Sequence, residues 1–279
     1  MVKRIWFITG ISSGLGKCLA QTVMEQGDFV IGTFRNQIQA DSFNSSHKDK
    51  AIALVLDISK PEQIDNALQF IKQKFGRINV LVNNAGFGFA GAIEETSMEE
   101  VRNVFEANFF GTLKLTQTFL PIFREQKGGH IIQISSHGGF KAFAGFGIYN
   151  ASNFAVEGFS EALSQEIAPL GIKLTIVEPG PFRTEFAGTS FHQANVTIND
   201  YVNTAGVFRE KMKLVNGRQE GDPEKAAKAI YDITNLDKPP LRLPLGKIAL
   251  LTLRSKLESV QADVDDYRHI AENAVFCER

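Results

Sequence analysis

Short apolar runs alternate along the chain with longer stretches in which apolar residues recur every three or four positions. The short runs are nearly continuous, which is typical of strands buried on both faces of a parallel sheet. The longer stretches have the period of helices with one buried face. Strands are therefore expected at 4–9, 28–34, 51–56, 78–83, 129–135 and 172–179, and helices at 14–27, 60–76, 97–123 and 151–171.

Glycine residues mark the ends of three of these helices. Gly27, Gly76 and Gly171 stand where helices commonly end. The alternation of strands and helices predicts an α/β fold, a Rossmann-type doubly wound parallel sheet of about seven strands flanked by helices. A helix at 222–235, a short strand near 241–243 and a C-terminal helical region complete the prediction.

No linker rich in proline, glycine or serine interrupts the alternation, so we predict a single domain over residues 1–279. After Pro179 the periodicity weakens, and the polar, phenylalanine-dotted stretch that follows is typical of a mobile lid over a pocket. We expect three parts within the domain: the regular alternation at about 3–186, a lid at about 182–220, and C-terminal helices at 221–279.

Composition narrows the class of protein. Hydrophobic residues make up 43% and the formal net charge is −1, so the chain can bury a core but has no charge suited to nucleic acid or an anionic membrane. Cys18 and Cys277 form no disulfide framework, and the first residues do not resemble a signal peptide. We expect a cytoplasmic protein. The five histidines lack the spacing of metal ligands, so no metal is expected.

A glycine-rich turn follows the first strand. The segment "TGISSGLG" places Gly10, Gly14 and Gly16 between that strand and the first helix. Glycine there allows the backbone to approach a pyrophosphate, and the helix N-terminus supplies N–H donors. The other interpretation is a tight turn with no ligand, but the strand–turn–helix context favours a dinucleotide site.

The second strand ends in "GTFRN", where dinucleotide folds often place an acidic residue on the adenosine ribose. Arg35 stands there instead, and a guanidinium can bind a 2′-phosphate through two hydrogen bonds. This predicts NADP(H) rather than NAD(H). Alternatively, Arg35 is only a solvated charge in a loop.

Ordered motifs over residues 3–186 make the chain resemble the classical short-chain dehydrogenase/reductase family. They are "TGISSGLG", "LDIS", "NNAG", "ANFFG", "ISS" and "EPGPFRT". The resemblance implies that 3–186 is the cofactor-binding and catalytic core and that 182–220 is a substrate lid. Within that family the chain is most similar to NADP-linked reductases of ketones. The resemblance implies cofactor contacts from Gly10, Ser12, Ser13, Gly14, Leu15, Gly16, Arg35, Asp57, Ile58, Asn84, Ala85, Gly86, Tyr149, Asn153, Pro179, Gly180, Phe182 and Thr184.

The resemblance also implies a catalytic set. Tyr149 would transfer the proton, Ser136 would orient the carbonyl, and Asn108 would support a water that relays protons. Ser135 is the neighbouring alternative to Ser136, but its side chain should point the other way along an extended strand. The position of the family's lysine, one helical turn after the tyrosine, holds Asn153.

Asparagine at position 153 is neutral, so it can bind a ribose hydroxyl but cannot favour the Tyr149 phenolate electrostatically. Slow catalysis is therefore expected. Three explanations stay open: an introduced substitution, which the intact neighbouring sequence favours; natural loss of activity; or natural rewiring to another cation. His137 and Lys141 are the nearby cations in sequence, although both have the simpler interpretation of loop charges.

The leading hypothesis is an NADP(H)-dependent carbonyl reductase or alcohol dehydrogenase with an impaired acid–base site, and the alternative is a catalytically silent NADP(H)-binding sensor or scaffold. A hydrolase using Ser136 and His137 is disfavoured, because no "GxSxG" elbow is present. The resemblance implies a homodimer or homotetramer, formed through 98–125 and 149–170. An apolar substrate is expected if half of six phenylalanines line the pocket: Phe140, Phe143, Phe146, Phe182, Phe186 and Phe191.

Overall fold

The computed structural model describes residues 3–276 and contains, within them, one seven-stranded parallel sheet and a separate pair of short strands. The strands are β1 (Ile5–Ile8), β2 (Phe29–Phe34), β3 (Ala51–Val55), β4 (Val80–Asn83), β5 (Gly88–Ala90), β6 (Gly129–Ile134), β7 (Ile172–Pro179), β8 (Phe191–Gln193) and β9 (Arg242–Leu245). The large sheet has the order β3-β2-β1-β4-β6-β7-β9, and β5 pairs with β8. The predicted Rossmann-type sheet is confirmed.

Helices cover both faces of the sheet. They are α1 (Gly14–Glu25), α2 (Gln37–Ser46), α3 (Pro61–Lys74), α4 (Met98–Phe105), α5 (Thr112–Glu125), α6 (Gly147–Ile167), α7 (Val207–Val215), α8 (Pro223–Ile233), α9 (Lys247–Asp266) and α10 (Arg268–Glu272). A π-helical turn, Glu106–Gly111, joins α4 to α5, so the long helix predicted there is interrupted. Helices α2 and α7 were not predicted.

The alternation of side chains in the strands divides the core between two layers. In β1, Trp6 and Ile8 face α1 and α8, whereas Phe7 faces the layer that contains α3, α5 and α6. The Phe7 ring lies 4.8 Å from that of Phe119. Large apolar side chains on both faces therefore fix the sheet between its helices.

A carboxylate at the amino edge of the sheet ties β2 to α8. Asp28 accepts hydrogen bonds from the Arg4 guanidinium at 2.8 Å, the Trp6 indole at 3.1 Å and the Tyr231 hydroxyl at 3.2 Å. Since Arg4 precedes β1 and the glycine turn follows it, this cation belongs to the edge opposite the predicted phosphate site. The network anchors the fold.

The strand order reverses direction between β1 and β4. In open parallel sheets, ligands bind beside such a switch point at the carboxyl ends of the strands. The segments after β1, β4, β6 and β7 carry the predicted site residues, so the topology brings them to one edge. No helix among residues 3–276 is long and apolar enough to cross a bilayer.

Candidate active site

The glycine turn has backbone conformations that favour glycine. Gly10 has a φ of +69° and Gly14 a φ of +59°, both in the left-handed region. Gly16 needs the absence of a side chain for a different reason, since a Cβ there would lie 2.4 Å from the Asn84 amide and 2.4 Å from the Gly10 carbonyl oxygen. The turn is thus packed tightly against the end of β4.

Hydrogen bonds lock β1 and β4 together at this point. The Asn84 amide donates to the carbonyl oxygens of Thr9 at 2.8 Å and Gly10 at 3.1 Å. The Thr9 hydroxyl accepts from the backbone N–H groups of Asn84 at 2.9 Å and Ala85 at 3.0 Å. Asn84 therefore positions the turn through its own side chain.

The N-terminus of α1 is open for an anion. Ser13 is the N-cap residue, and within the described residues its side chain makes no capping hydrogen bond. The first N–H groups of a helix have no intrahelical partner and carry a partial positive charge. Thr184 lies on the other side of the turn, 3.5 Å from where a Cβ on Gly14 would stand. These features fit the diphosphate of a dinucleotide.

Two further predicted contacts, Arg35 and Asp57, follow the neighbouring strands β2 and β3. Asp57 is partly buried, and its Oδ1 accepts hydrogen bonds from the Ser59 N–H at 3.0 Å and the Ser59 hydroxyl at 2.8 Å. Arg35 is exposed just beyond β2 and, among residues 3–276, makes no side-chain ion pair. The turn is tied to β2 by the Thr33 hydroxyl, which accepts from the Gly10 N–H at 3.0 Å. A cation is thus available at the end of β2.

Tyr149 lies in the first turn of α6 and is buried. Its ring stacks on Phe146 with centroids 4.1 Å apart and meets Phe186 edge-on at 5.6 Å. Burial raises the pKa of Tyr149 to about 12, although polar contacts with Ser136 and Asn153 lower it. The phenol is therefore neutral at ordinary pH and costly to ionise.

Ser136 follows β6 and begins a short helical turn, His137–Gly139. Its Oγ accepts from the Gly138 N–H at 3.0 Å, which leaves the hydroxyl proton free to be donated. Gly138 is adjacent to both Ser136 and Tyr149. Ser135 lies next to Glu157 instead. Burial raises the pKa of Glu157, and the contact with Ser135 opposes that rise, so the two serines face different groups.

Asn108 lies in the π-helical turn between α4 and α5 and is buried. Its Oδ1 accepts from the Phe87 N–H at 3.0 Å, and its Nδ2 donates to the Phe87 carbonyl at 3.0 Å and the Ser152 hydroxyl at 3.3 Å. Asn108 thus holds the segment after β4 against α6. The π-helical turn that carries Asn108 interrupts the helix beside the site, and such turns are frequent at functional sites.

Asn153 lies one turn after Tyr149 and is buried. Its amide Nδ2 donates to the Tyr149 carbonyl oxygen at 2.9 Å. This side chain bonds to its own helix, and because an amide is neutral it brings no charge to the phenol.

The two nearby cationic candidates do not supply that charge. Burial lowers the pKa of His137 to about 4, and its ring nitrogen contacts the Thr252 hydroxyl at 3.1 Å. His137 is therefore neutral at ordinary pH. The Lys141 ammonium donates to Ser255 at 2.9 Å. Both side chains are directed to α9.

Aromatic rings surround Tyr149. Phe208, on α7, lies 4.8 Å from Phe146, and Phe191 lies 6.2 Å from the same ring. Three of the six predicted pocket rings are in this group. The other three lie elsewhere: Phe140 beneath the Arg242 guanidinium, Phe143 beside His137, and Phe182 against Gly221 and Gly246.

The segment between β7 and α8 is fastened over this side of the site by a buried ion pair. Arg209 of α7 pairs with Glu95 at 2.5 Å, and Glu95 also accepts from the Ile198 N–H at 2.9 Å. Burial raises the pKa of Glu95, but these hydrogen bonds outweigh it and hold the pKa below its usual range. The carboxylate therefore stays charged and anchors α7.

Sequence reasoning missed Phe208, Glu95, Arg209 and Asn150. Asn150 is buried, donates to the Gly138 carbonyl at 2.8 Å and accepts from the Phe143 N–H at 2.9 Å, and so fixes the loop after Ser136. Its place beside Tyr149 was the available signal. The Glu95–Arg209 pair spans 114 residues, and no local pattern indicates it.

A family model described as short chain dehydrogenase matches residues 4–195. Oxidoreductase BOA17 of Botryotinia fuckeliana is 36% identical over 96% of this chain and 98% of its own. The 3-ketodihydrosphingosine reductase of Bacteroides thetaiotaomicron is 36% identical over 92% of this chain and 93% of its own. The chain belongs to the short-chain dehydrogenase family.

Solved structures agree with this assignment. A short-chain dehydrogenase from Streptomyces avermitilis has a TM-score of 0.92 and 39% identity, covering 98% of this chain and 100% of that one. ElxO, solved with NADP bound, has a TM-score of 0.72 and 27% identity, covering 87% and 97%. This short-chain dehydrogenase is thus an oxidoreductase of a family that uses nicotinamide cofactors. Its residues 3–276 contain no cluster suited to a metal ion.

The packing at Gly16 gives a direct test of the nucleotide site. In the Gly16→Ala variant, the new methyl group would displace Asn84 and the turn, so we expect NADPH to bind at least about tenfold more weakly in a fluorescence titration. The matched control is Gly158→Ala, where a Cβ on α6 meets nothing within 4 Å. Unchanged NADPH affinity in Gly16→Ala would contradict the assignment.

Proposed function

We propose that this short-chain dehydrogenase interconverts an apolar ketone or aldehyde and the corresponding alcohol with NADP(H). The observation that carries the proposal is Tyr149, buried among aromatic rings and adjacent to Ser136, at the sheet edge where the glycine turn is also found. A neutral acid and a hydroxyl that orients the carbonyl are groups that carbonyl reduction uses, with the hydride coming from the nicotinamide, and the surrounding aromatic rings suit an apolar substrate.

Each residue of the site has a separate role in the proposed reaction. The nicotinamide, when bound, supplies or accepts the hydride. Tyr149 gives a proton to the carbonyl oxygen in reduction and removes one from the hydroxyl in oxidation. The Ser136 hydroxyl donates to the same oxygen and orients it. Gly10, Gly14 and Gly16 accommodate the diphosphate.

Further proposed cofactor contacts come from segments at the same edge of the sheet. Ser12 and Ser13 flank the helix N-terminus, and the free oxygen of the Asp57 carboxylate is available to the adenine. Thr184 lies across the turn from Gly14, and the resemblance assigns its hydroxyl to the carboxamide of the nicotinamide. The remaining positions are Leu15, Ile58, Ala85, Gly86, Pro179 and Gly180. The ring of Phe182 packs elsewhere, so any contribution from that residue would come from its main chain.

Asn153 limits the rate in this proposal. A lysine there would favour the phenolate through its charge, whereas asparagine leaves burial as the largest influence on Tyr149. The proton transfer is therefore slow in both directions. The same observation is the argument for the alternative function, an NADP(H)-binding sensor without turnover, because the site lacks the cation that tunes its acid.

An apolar substrate follows from the rings of Phe146, Phe186, Phe191 and Phe208 around the phenol. The Bacteroides thetaiotaomicron relative is named a 3-ketodihydrosphingosine reductase, and this name supports a ketone as the substrate here. The segment 182–220 is proposed as the lid, since α7 and β8 contribute two of these rings.

Introducing a positive charge at position 153 tests the function. In Asn153→Lys, the ammonium lowers the Tyr149 pKa, and we expect NADPH-dependent reduction of aryl and long-chain ketones to rise about tenfold or more. The control is Asn153→Met, which has similar length without a charge and should stay slow.

Two outcomes would count against the enzyme. If both variants bind NADPH yet reduce no ketone in the panel, the sensor function is favoured. If small polar carbonyls are reduced faster than bulky apolar ones, the proposed substrate class is wrong.

Arg35 is proposed to select NADP(H). Its free guanidinium can pair with the 2′-phosphate, so Arg35→Ala should weaken NADPH binding by about tenfold or more and leave NADH binding unchanged. Isothermal titration with both nucleotides measures the two affinities. Arg77→Ala removes an exposed cation near the amino edge and serves as the control. An equal loss for NADPH and NADH would refute the selective role.

A further inference from the structure

Helix α9 carries an apolar stripe that the other residues among 3–276 leave largely uncovered. Leu250, Leu257, Val260 and Val264 are 44%, 57%, 43% and 58% exposed, and Leu253 is partly buried. Their spacings alternate between three and four residues, which is the a/d pattern of a coiled coil. We name these five residues the α9 stripe.

The opposite side of α9 packs against the rest of the protein over its first half. Ala249 and Thr252 are buried against the body of the protein, and His137 and Lys141 contact Thr252 and Ser255. From Leu257 to Asp266 every residue of the helix is exposed. A helical segment of this kind gains little from propensity alone, because most helix stability in proteins comes from packing of an apolar face.

The charges of α9 are divided between its halves. Residues 247–256 contain three basic residues and no acidic ones, whereas residues 257–266 contain four acidic residues and no basic ones. Positive charge near the N-terminus and negative charge near the C-terminus both oppose the helix dipole. The distribution therefore does not stabilise the isolated helix, and a partner with the reverse polarity would offset it.

A second copy of the same helix in antiparallel orientation has that polarity. From this arrangement we infer that α9 pairs with α9 of a second copy of this chain, stripe against stripe. In a two-fold arrangement Leu257 of one copy meets Val260 of the other, and Leu253 meets Val264. Lys256 then flanks Asp263 of the other copy, and this contact occurs twice.

The charge pattern favours this occupant over a membrane surface. The exposed half of α9 is acidic, and acidic residues are repelled by anionic lipid headgroups. The pairing also uses none of the residues at 98–125 and 149–170, through which the resemblance implies a separate oligomer. The α9 contact would therefore be a second interface, additional to any formed through 98–125 and 149–170.

Sedimentation velocity across the micromolar range tests the pairing. Leu257→Glu places two carboxylates in the apolar seam, so we expect self-association about tenfold weaker or more, with a smaller assembly than wild type. Ile38→Glu, at a residue of α2 that is 78% exposed, should leave the mass unchanged. Equal masses for wild type and Leu257→Glu at every concentration would overturn the proposal.

Charge exchange tests the orientation. Lys256→Asp alone and Asp263→Lys alone each replace two attractive contacts by repulsive ones, so both should weaken association. The double variant K256D/D263K restores the attraction only in the antiparallel pair, because in a parallel pair residues 256 and 263 of the two copies stand about two helical turns apart. Recovery in the double variant supports the pairing, and further weakening overturns the antiparallel arrangement.

Discussion

The contact between the ends of β1 and β4 determines the geometry of the site. The Asn84 side chain and the Thr9 hydroxyl hold the glycine turn so close to β4 that a methyl group at Gly16 has no room. This contact exists because the strand order reverses at that point and leaves a crevice above the two strand ends. Every other site segment is placed relative to it, since β6 and β7 follow β4 in the sheet.

The fold controls the acidity of Tyr149 by excluding water from its hydroxyl. Packing against Phe146 and Phe186 removes water from the phenol, and this burial raises its pKa to about 12. A buried acid can be tuned only by charges and hydrogen bonds beside it. His137 is neutral and Lys141 is held by α9, so neither replaces the missing lysine. Under our proposal, the aromatic wall that suits an apolar substrate also makes the uncompensated tyrosine slow.

The sheet could be predicted from the sequence because its strands are continuous apolar runs and its turns carry glycine for local reasons. Helix α2 could not, since Ala40 is its one buried residue among those described and no apolar stripe reveals it. Helix α7 is fixed by the pairing of Arg209 with Glu95, which joins residues distant in sequence. Phe146 and Phe186 contact Tyr149, whereas Phe140 and Phe182 pack elsewhere. The sequence could not distinguish these rings, because their contacts depend on tertiary packing.

The most direct test of the central claim, that an uncompensated Tyr149 limits turnover, is the pH dependence of kcat/KM for oxidation of an apolar alcohol with NADP+. Since the phenolate is the base and its pKa is about 12, the rate should rise continuously with pH and show no plateau below pH 10. Asn153→Lys should reach a plateau at lower pH, and the difference between the two should narrow as the pH rises. Identical profiles for both proteins would contradict the account.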